Sequence, residues 1–302
     1  MEDFFYQHGI TSVVRAWGED AEDYLQSQWT IDITKIKTGE VRFGLRLTSK
    51  GKILAGAYIA RLDDEEFLLI GEKIPATEII NLMEENVVAD EIEFSDQSDE
   101  WKFLSLYFSK PTVFSSQFDL SSMEGNQFLK NEGANLWVDA RMQNGFYLAL
   151  IKKNTESKII AFDSLTDITE ERYEYLRIQN GKFSIPAEIG QEDLPQEAAM
   201  EKYAVDFNKG CYLGQEVMAR LHAMGQVQKQ VKTVRWEGKN GTLPTLPANI
   251  IMDQKLIGSL KSIARHNDSF IGVAKIHLKA KERLWETGLD LENMEMGKVF
   301  SL

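Results

Sequence analysis

Lys209-Gly210-Cys211-Tyr212-Leu213-Gly214-Gln215-Glu216 is the stretch on which the reading of this chain turns. Gly210 and Gly214 permit backbone torsions and close approaches that larger residues forbid, and Gln215 with Glu216 brings several hydrogen-bonding groups into one turn. Gly214 to Ala223 is expected as a short helix stopped by Gly225, which sets Cys211 just ahead of its N-terminus. A thiolate there gains from the exposed N–H groups, and from Lys209 if the ammonium faces the sulfur. The same position also suits an unpaired cysteine packed as a small hydrophobe. Lys209 and Arg220 are able to neutralise the carboxylates of a ligand, and Glu216 to accept hydrogen bonds from a nitrogen heterocycle. Surface ion pairs and caps are the competing reading of all three.

Cys211 is the sole cysteine of the 302 residues. No disulfide forms within the chain, and no Cys-rich zinc or iron-sulfur motif is available. The four histidines, His8, His222, His266 and His277, make no ligand pair, so no metal site is expected. His222 lies too far along the helix to form an acid/base pair with Glu216, and no third group orients a Cys-His nucleophile. With 34 Lys plus Arg against 47 Asp plus Glu the formal charge is −13. That field repels a nucleic-acid backbone, and direct nucleic-acid binding is not expected. No apolar run reaches the roughly 18 residues of a membrane span, and Met1 to His8 lacks the basic lead and apolar core of a secretory signal. A cytoplasmic location away from membranes is the expectation.

Hydrophobic residues make up 43% of the chain, enough for a substantial core. Helical spacing over Glu19 to Thr30, Ala76 to Glu85 and Asp167 to Arg177 alternates with strand-like runs at Val41 to Leu47, Leu54 to Ile59, Phe67 to Ile70, Glu91 to Phe94, Phe103 to Phe108 and Phe146 to Ile151. Ser109 to Ser122 breaks the rhythm, and Asn144-Gly145 suggests a turn. Leu194-Pro195 leads into short elements before the signature. After Gln228, short segments at Val231 to Trp236, Ile250 to Met252, Leu256 to Ser262, Phe270 to Ile276 and Lys298 to Leu302 predict a small β-barrel or sandwich. An α+β fold follows, with a body over residues 1–228 and a C-terminal β domain, barrel or sandwich, over 229–302. Tyr173, Tyr175, Tyr203, Phe207 and Tyr212 either line a flat ligand cavity or pack the interior. Trp101, Trp137, Trp236 and Trp285 are expected in the core.

The signature, with Arg220 following at the expected interval, resembles the Lys-Gly-Cys-Tyr-x-Gly-Gln-Glu pattern of the YgfZ family of folate-binding proteins, relatives of the glycine cleavage aminomethyltransferase. Leu176-Arg177-Ile178-Gln179-Asn180-Gly181 is similar to the family's approach to this motif. Tyr24 to Ile33 resembles the family's Leu-Gln-Gly-Gln-x-Thr-Asn-Asp segment, with Ser27 for glycine and Ile31 for asparagine, a change that removes an amide. Leu47-Thr48-Ser49-Lys50-Gly51-Lys52-Ile53 resembles the following turn with Ser49 for proline, and Ile257 to Ser262 a strand of the final domain.

The resemblance implies a GcvT/YgfZ-like folate-binding body of two intertwined α/β subdomains with a C-terminal β-barrel. It implies tetrahydrofolate or a related reduced folate as ligand, Cys211 as functional thiol, and Lys209, Tyr212, Gln215, Glu216 and Arg220 as folate-contacting residues. It further implies an accessory role in assembly or repair of iron-sulfur proteins and, indirectly, in tRNA modification, with iron-sulfur clients or assembly proteins as partners. Folate-dependent aminomethyl or other one-carbon transfer is the alternative.

Overall fold

The computed structural model describes residues 2–302 apart from 111–112, 116–117, 120–122, 124–125, 132, 143–144, 154–163, 239–242 and 294–295. Two sheets and a barrel organise the chain. The first sheet is antiparallel in the order β3 (Val41–Leu47), β4 (Ile53–Asp63), β5 (Glu66–Glu72), β2 (Thr11–Trp17), β6 (Glu93–Asp96). The second runs β10 (Phe128–Asn131), β11 (Ala134–Val138), β12 (Phe146–Lys152), β7 (Trp101–Tyr107), β1 (Phe4–Gln7), β13 (Thr166–Asp167) and is antiparallel except for its last pair. A small hairpin pairs β8 (Val113–Ser115) with β9 (Phe118–Asp119).

Side-chain alternation places the first sheet. Along β4 and β5, Tyr58, Ala60, Leu68 and Ile70 join Phe103, Trp137, Leu148 and Leu150 of the second sheet in one core. The intervening Ala57, Ile59, Phe67 and Leu69 pack against α1 (Ala21–Gln28) and α2 (Ala76–Glu84) through Tyr24, Leu25, Ile79 and Met83. A sheet covered on both faces needs apolar residues at successive positions, which is why Phe67 to Ile70 reads as an unbroken run. Each such side chain contributes about 1.5–3 kcal/mol when fully buried.

Thr169 caps α3 (Glu170–Gln179), its Oγ1 accepting from Arg172 N at 3.3 Å, so the helix starts later than its apolar spacing suggests. Two 3-10 turns, Pro195–Ala198 and Met200–Lys202, then precede the signature and α4 (Gln215–Met224). From Lys229 onward six strands close a barrel, β14 (Lys229–Glu237), β17 (Ser269–His277), β16 (Lys255–His266), β15 (Ala248–Met252), β18 (Leu289–Leu291), β19 (Lys298–Ser301), with α5 (Lys281–Glu286) before β18. The α+β class and the barrel are as expected.

Trp137 and Trp236 are buried, but Trp285 on α5 is 73% exposed, which corrects its expected core position. That six-residue helix buries Leu284 instead, so its neighbour faces out. Trp101 is half-buried. Within Ser109 to Ser122 the hairpin alone is regular among the described residues, and Asn144 of the expected turn lies outside them; Gly145 has φ +95°.

Candidate functional site

Lys209 is drawn inward. Its Nζ donates to Gln26 O and Trp29 O at 2.6 Å each and to Ile31 O at 2.7 Å. An ammonium has three donors, and all three are spent on the end of α1 and the loop after it. Burial depresses this amine to about 8, with Asp32 and Asp206 partly offsetting it. Neighbouring bonds tie the same two segments: Leu213 N donates to Ser27 O at 3.1 Å and Asp206 N to Thr30 O at 2.9 Å. Asp206 Oδ2 accepts from Asp32 N at 2.8 Å and pairs with Arg42 at 2.9 Å.

Gly214, at φ +86°, approaches the turn before β4 so closely that a Cβ would stand 2.6 Å from Thr48 O. Gly214→Ala is expected to cost about 1–3 kcal/mol in urea unfolding through that contact and the left-handed torsion. Thus three segments singled out by their spelling, around Tyr24 to Ile33, Leu47 to Ile53 and the signature, meet in one place. Ile31, where an asparagine was expected, is buried with its Cγ1 2.9 Å from where a Gly44 Cβ would lie. Apolar packing replaces an amide contact there.

Cys211 points the other way and is exposed. Of its two readings, small buried hydrophobe and accessible thiol, the second describes its surroundings. Tyr212 is buried beneath Lys209, whose Nζ lies 5.2 Å from the ring centroid; burial pushes its phenol up to about 12, and the hydroxyl has no hydrogen-bond partner among the described residues. Gln215 is half-buried, whereas Glu216 and Arg220 form an exposed pair at 2.8 Å, their side chains 84% and 71% accessible. The competing reading of these two, a surface ion pair, describes their geometry. The signature residues therefore do not converge on one interior cavity.

The interior polar centre is elsewhere, and sequence reasoning missed it. Alternation along β5 turns Glu72 toward the space between the sheets, on the side of Leu68 and Ile70. Lys182 Nζ donates to Glu72 Oε1 at 2.5 Å, Asp139 Oδ2 at 2.7 Å and Tyr173 OH at 3.3 Å. Tyr58 OH donates to Asp139 Oδ1 at 2.7 Å, and Arg141 reaches Glu72 Oε2 at 3.3 Å and Phe183 O at 2.6 Å. Burial opposes the charge on Glu72, yet Lys182 and Arg141 hold its carboxyl at about 2. Arg177 pairs with both oxygens of Glu188 at 2.8 and 2.9 Å, and Ser262 Oγ of the barrel closes onto the same carboxylate.

His8, bonded to Ser105 Oγ at 2.8 Å, is pushed by burial down to about 4 from 6.5. The unfolded chain then binds a proton that the folded one refuses, so stability falls as the pH drops from 6.5 toward 4. Acid titration of the unfolding free energy should show a decline of about 3 kcal/mol over that window that is absent from His8→Gln.

The void left in this centre, bordered by His8, Glu72, Arg141, Tyr173, Lys182 and Ser184, has a volume of about 10 Å³. It holds roughly one water. None of Lys209, Cys211, Tyr212, Gln215, Glu216 or Arg220 lines it. Nor do the five aromatic residues share a cavity: Tyr173 borders this void, Tyr175 faces His266, Tyr203 lies beside Phe43, Phe207 stacks on His222, and Tyr212 sits under Lys209.

The GCVT N-terminal domain family matches residues 11–107. A tRNA-modifying protein YgfZ of Vibrio atlanticus is 20% identical over 226 residues, covering 74% of this chain and 67% of that protein. The protein of the same name from Hamiltonella defensa is 27% identical over 237 residues, 72% of this chain and 65% of its own length. An uncharacterised Haemophilus influenzae protein is 24% identical over 215 residues, 70% and 66% respectively. The chain thus spans about two thirds of the curated relatives it matches. In fold it matches the crystal structure of glycine cleavage system aminomethyltransferase T from Bartonella henselae, with a TM-score of 0.82 and 13% identity over 100% of this chain and 86% of the other. No helix among the described residues is long and apolar enough to cross a membrane. In motif, in sequence over these spans and in architecture, the chain is thus similar to YgfZ/GcvT-like proteins.

Proposed function

We propose that this protein is a reduced-folate-binding accessory factor that supports assembly or repair of iron-sulfur proteins and, through such clients, tRNA modification, with Cys211 as the group that meets the client. The observation that carries the reading is the placement of Cys211: exposed, between an inward-anchored Lys209 and a buried Tyr212. Lys209 and Tyr212 hold the loop, and Cys211 is offered outward. One thiol cannot supply all ligands of a cluster, so its contact with a client is transient or completed by the partner's ligands.

A reduced folate is what the resemblance implies. In the polar centre, Arg141 Nε and Ser184 Oγ are buried without a hydrogen-bond partner among the described residues and suit the polar edge of a pterin. The 10 Å³ void is far smaller than a pterin, so entry of the ring requires Arg141 and its neighbours to move aside. Aminomethyl transfer is the weaker reading because Glu72 and Asp139, the carboxylates available to handle a proton there, are both tied to Lys182.

Two experiments separate the parts. In cells lacking the native protein, Cys211→Ser at matched abundance is expected to lower cluster occupancy of iron-sulfur clients; equal occupancy in normal and oxidative growth removes the thiol role. Calorimetric titration with tetrahydrofolate should give saturable binding that Ser184→Ala weakens by about 5-fold, the worth of one hydrogen bond. A folded chain that takes up no reduced folate loses the ligand assignment while leaving the thiol test standing.

A further inference from the structure

Beyond that reading, a second cavity, of about 360 Å³, opens between the signature helix and the barrel. Its size falls in the range of small-molecule sites. Leu221, Val227 and Leu278 supply apolar wall, and His222, stacked on Phe207 with ring centroids 3.9 Å apart, supplies an aromatic one. On the polar side, beside Gln226 and Gln230, two acceptors stand out. Glu201 Oε2 is buried there with no hydrogen-bond partner among the described residues. Gln196 turns its amide nitrogen to Met218 Sδ at 3.4 Å, which leaves its carbonyl Oε1 likewise buried and unpaired.

Two orphaned acceptors, one on an acidic side chain, are costly unless a donor meets them. A bare metal ion is a poor candidate, since no group of three His, Cys, Asp or Glu side chains among the described residues is placed to hold one. A cation carrying N–H groups satisfies both oxygens, and an aliphatic stem behind it covers the leucines and valine. The net charge of −13 favours its approach.

We infer that this cavity binds an alkyl cation with N–H donors, an alkylguanidinium or alkylammonium, held by Glu201 and Gln196. The chemistry has two sources, a free small molecule or an arginine side chain of a partner protein, and the site lies on the helix that follows the exposed thiol.

Isothermal titration with agmatine tests it on the full chain. Saturable binding is expected at up to millimolar concentration, weakened about 10-fold by Glu201→Gln, which keeps the shape and removes the charge. Gln196→Leu should weaken it independently, and both variants should unfold at the same urea concentration as the parent or a higher one, since Glu201→Gln removes a charge and Gln196→Leu an unpaired acceptor. A short arginine-containing peptide in place of agmatine distinguishes the sources: tighter binding of the peptide assigns the cavity to a partner's side chain, tighter binding of agmatine to a small molecule. Absence of saturable binding by both probes, or equal affinity of parent and Glu201→Gln, overturns the inference.

Discussion

Lys182→Met is expected to lower the unfolding free energy by about 3–5 kcal/mol, the cost of leaving buried charge without its partner. The ammonium is fully enclosed and is the cation common to Glu72 and Asp139. Without it, Asp139 keeps the Tyr58 hydroxyl and Arg141 N, and Glu72 keeps only Arg141 at 3.3 Å. Urea unfolding at neutral pH measures the loss. Adding Asp139→Asn should recover part of it, because one of the two stranded charges disappears. The pH profile carries the same signature. Glu72 is held at about 2 against its ordinary 4.5, so its stabilising share is complete above pH 4.5 and is lost as the pH falls toward 2. In Lys182→Met that acid loss should shrink, since less is holding the carboxyl down.

Lys209→Met should cost about 2–4 kcal/mol, because a methionine fills the space but leaves the carbonyls of Gln26, Trp29 and Ile31 with no donor. Its near neighbour in sequence gives the contrast. Arg220→Ala removes an exposed pair and should change the unfolding free energy by no more than about 0.5 kcal/mol. If the two substitutions were equally mild, the signature lysine would not be an anchor. Two cations inside one motif thus do different work, and charge type alone did not distinguish them.

That difference marks what the spelling of the chain disclosed. Strands buried on one or both faces, such as Phe67 to Ile70 and Phe146 to Ile151, and helices with a clear apolar side, such as α2, declare themselves by period. The first strand escaped because Phe4–Gln7 is short and its burial alternates over so few positions. Ala134–Val138 escaped because its apolar run is brief and includes Asn135. The signature segments were legible as motifs, but not that Lys209 would bind them together through backbone oxygens, since backbone partners leave no trace in residue identity. The polar centre was hidden for a related reason. Glu72, the turn carrying Asp139 and Arg141, and Lys182 come from separate parts of the chain, and each charge alone looks like an ordinary surface one; only the strand alternation that turns Glu72 inward hinted at it.

The role proposed for Cys211 requires a sulfur that faces solvent from a loop fixed by buried contacts, and alkylation of the native protein with a bulky polymer-linked maleimide measures this directly. Complete modification of Cys211 is predicted without denaturant and without loss of the unfolding midpoint, at a rate close to that of the same residue in urea. Modification that appears only as the chain unfolds would contradict it.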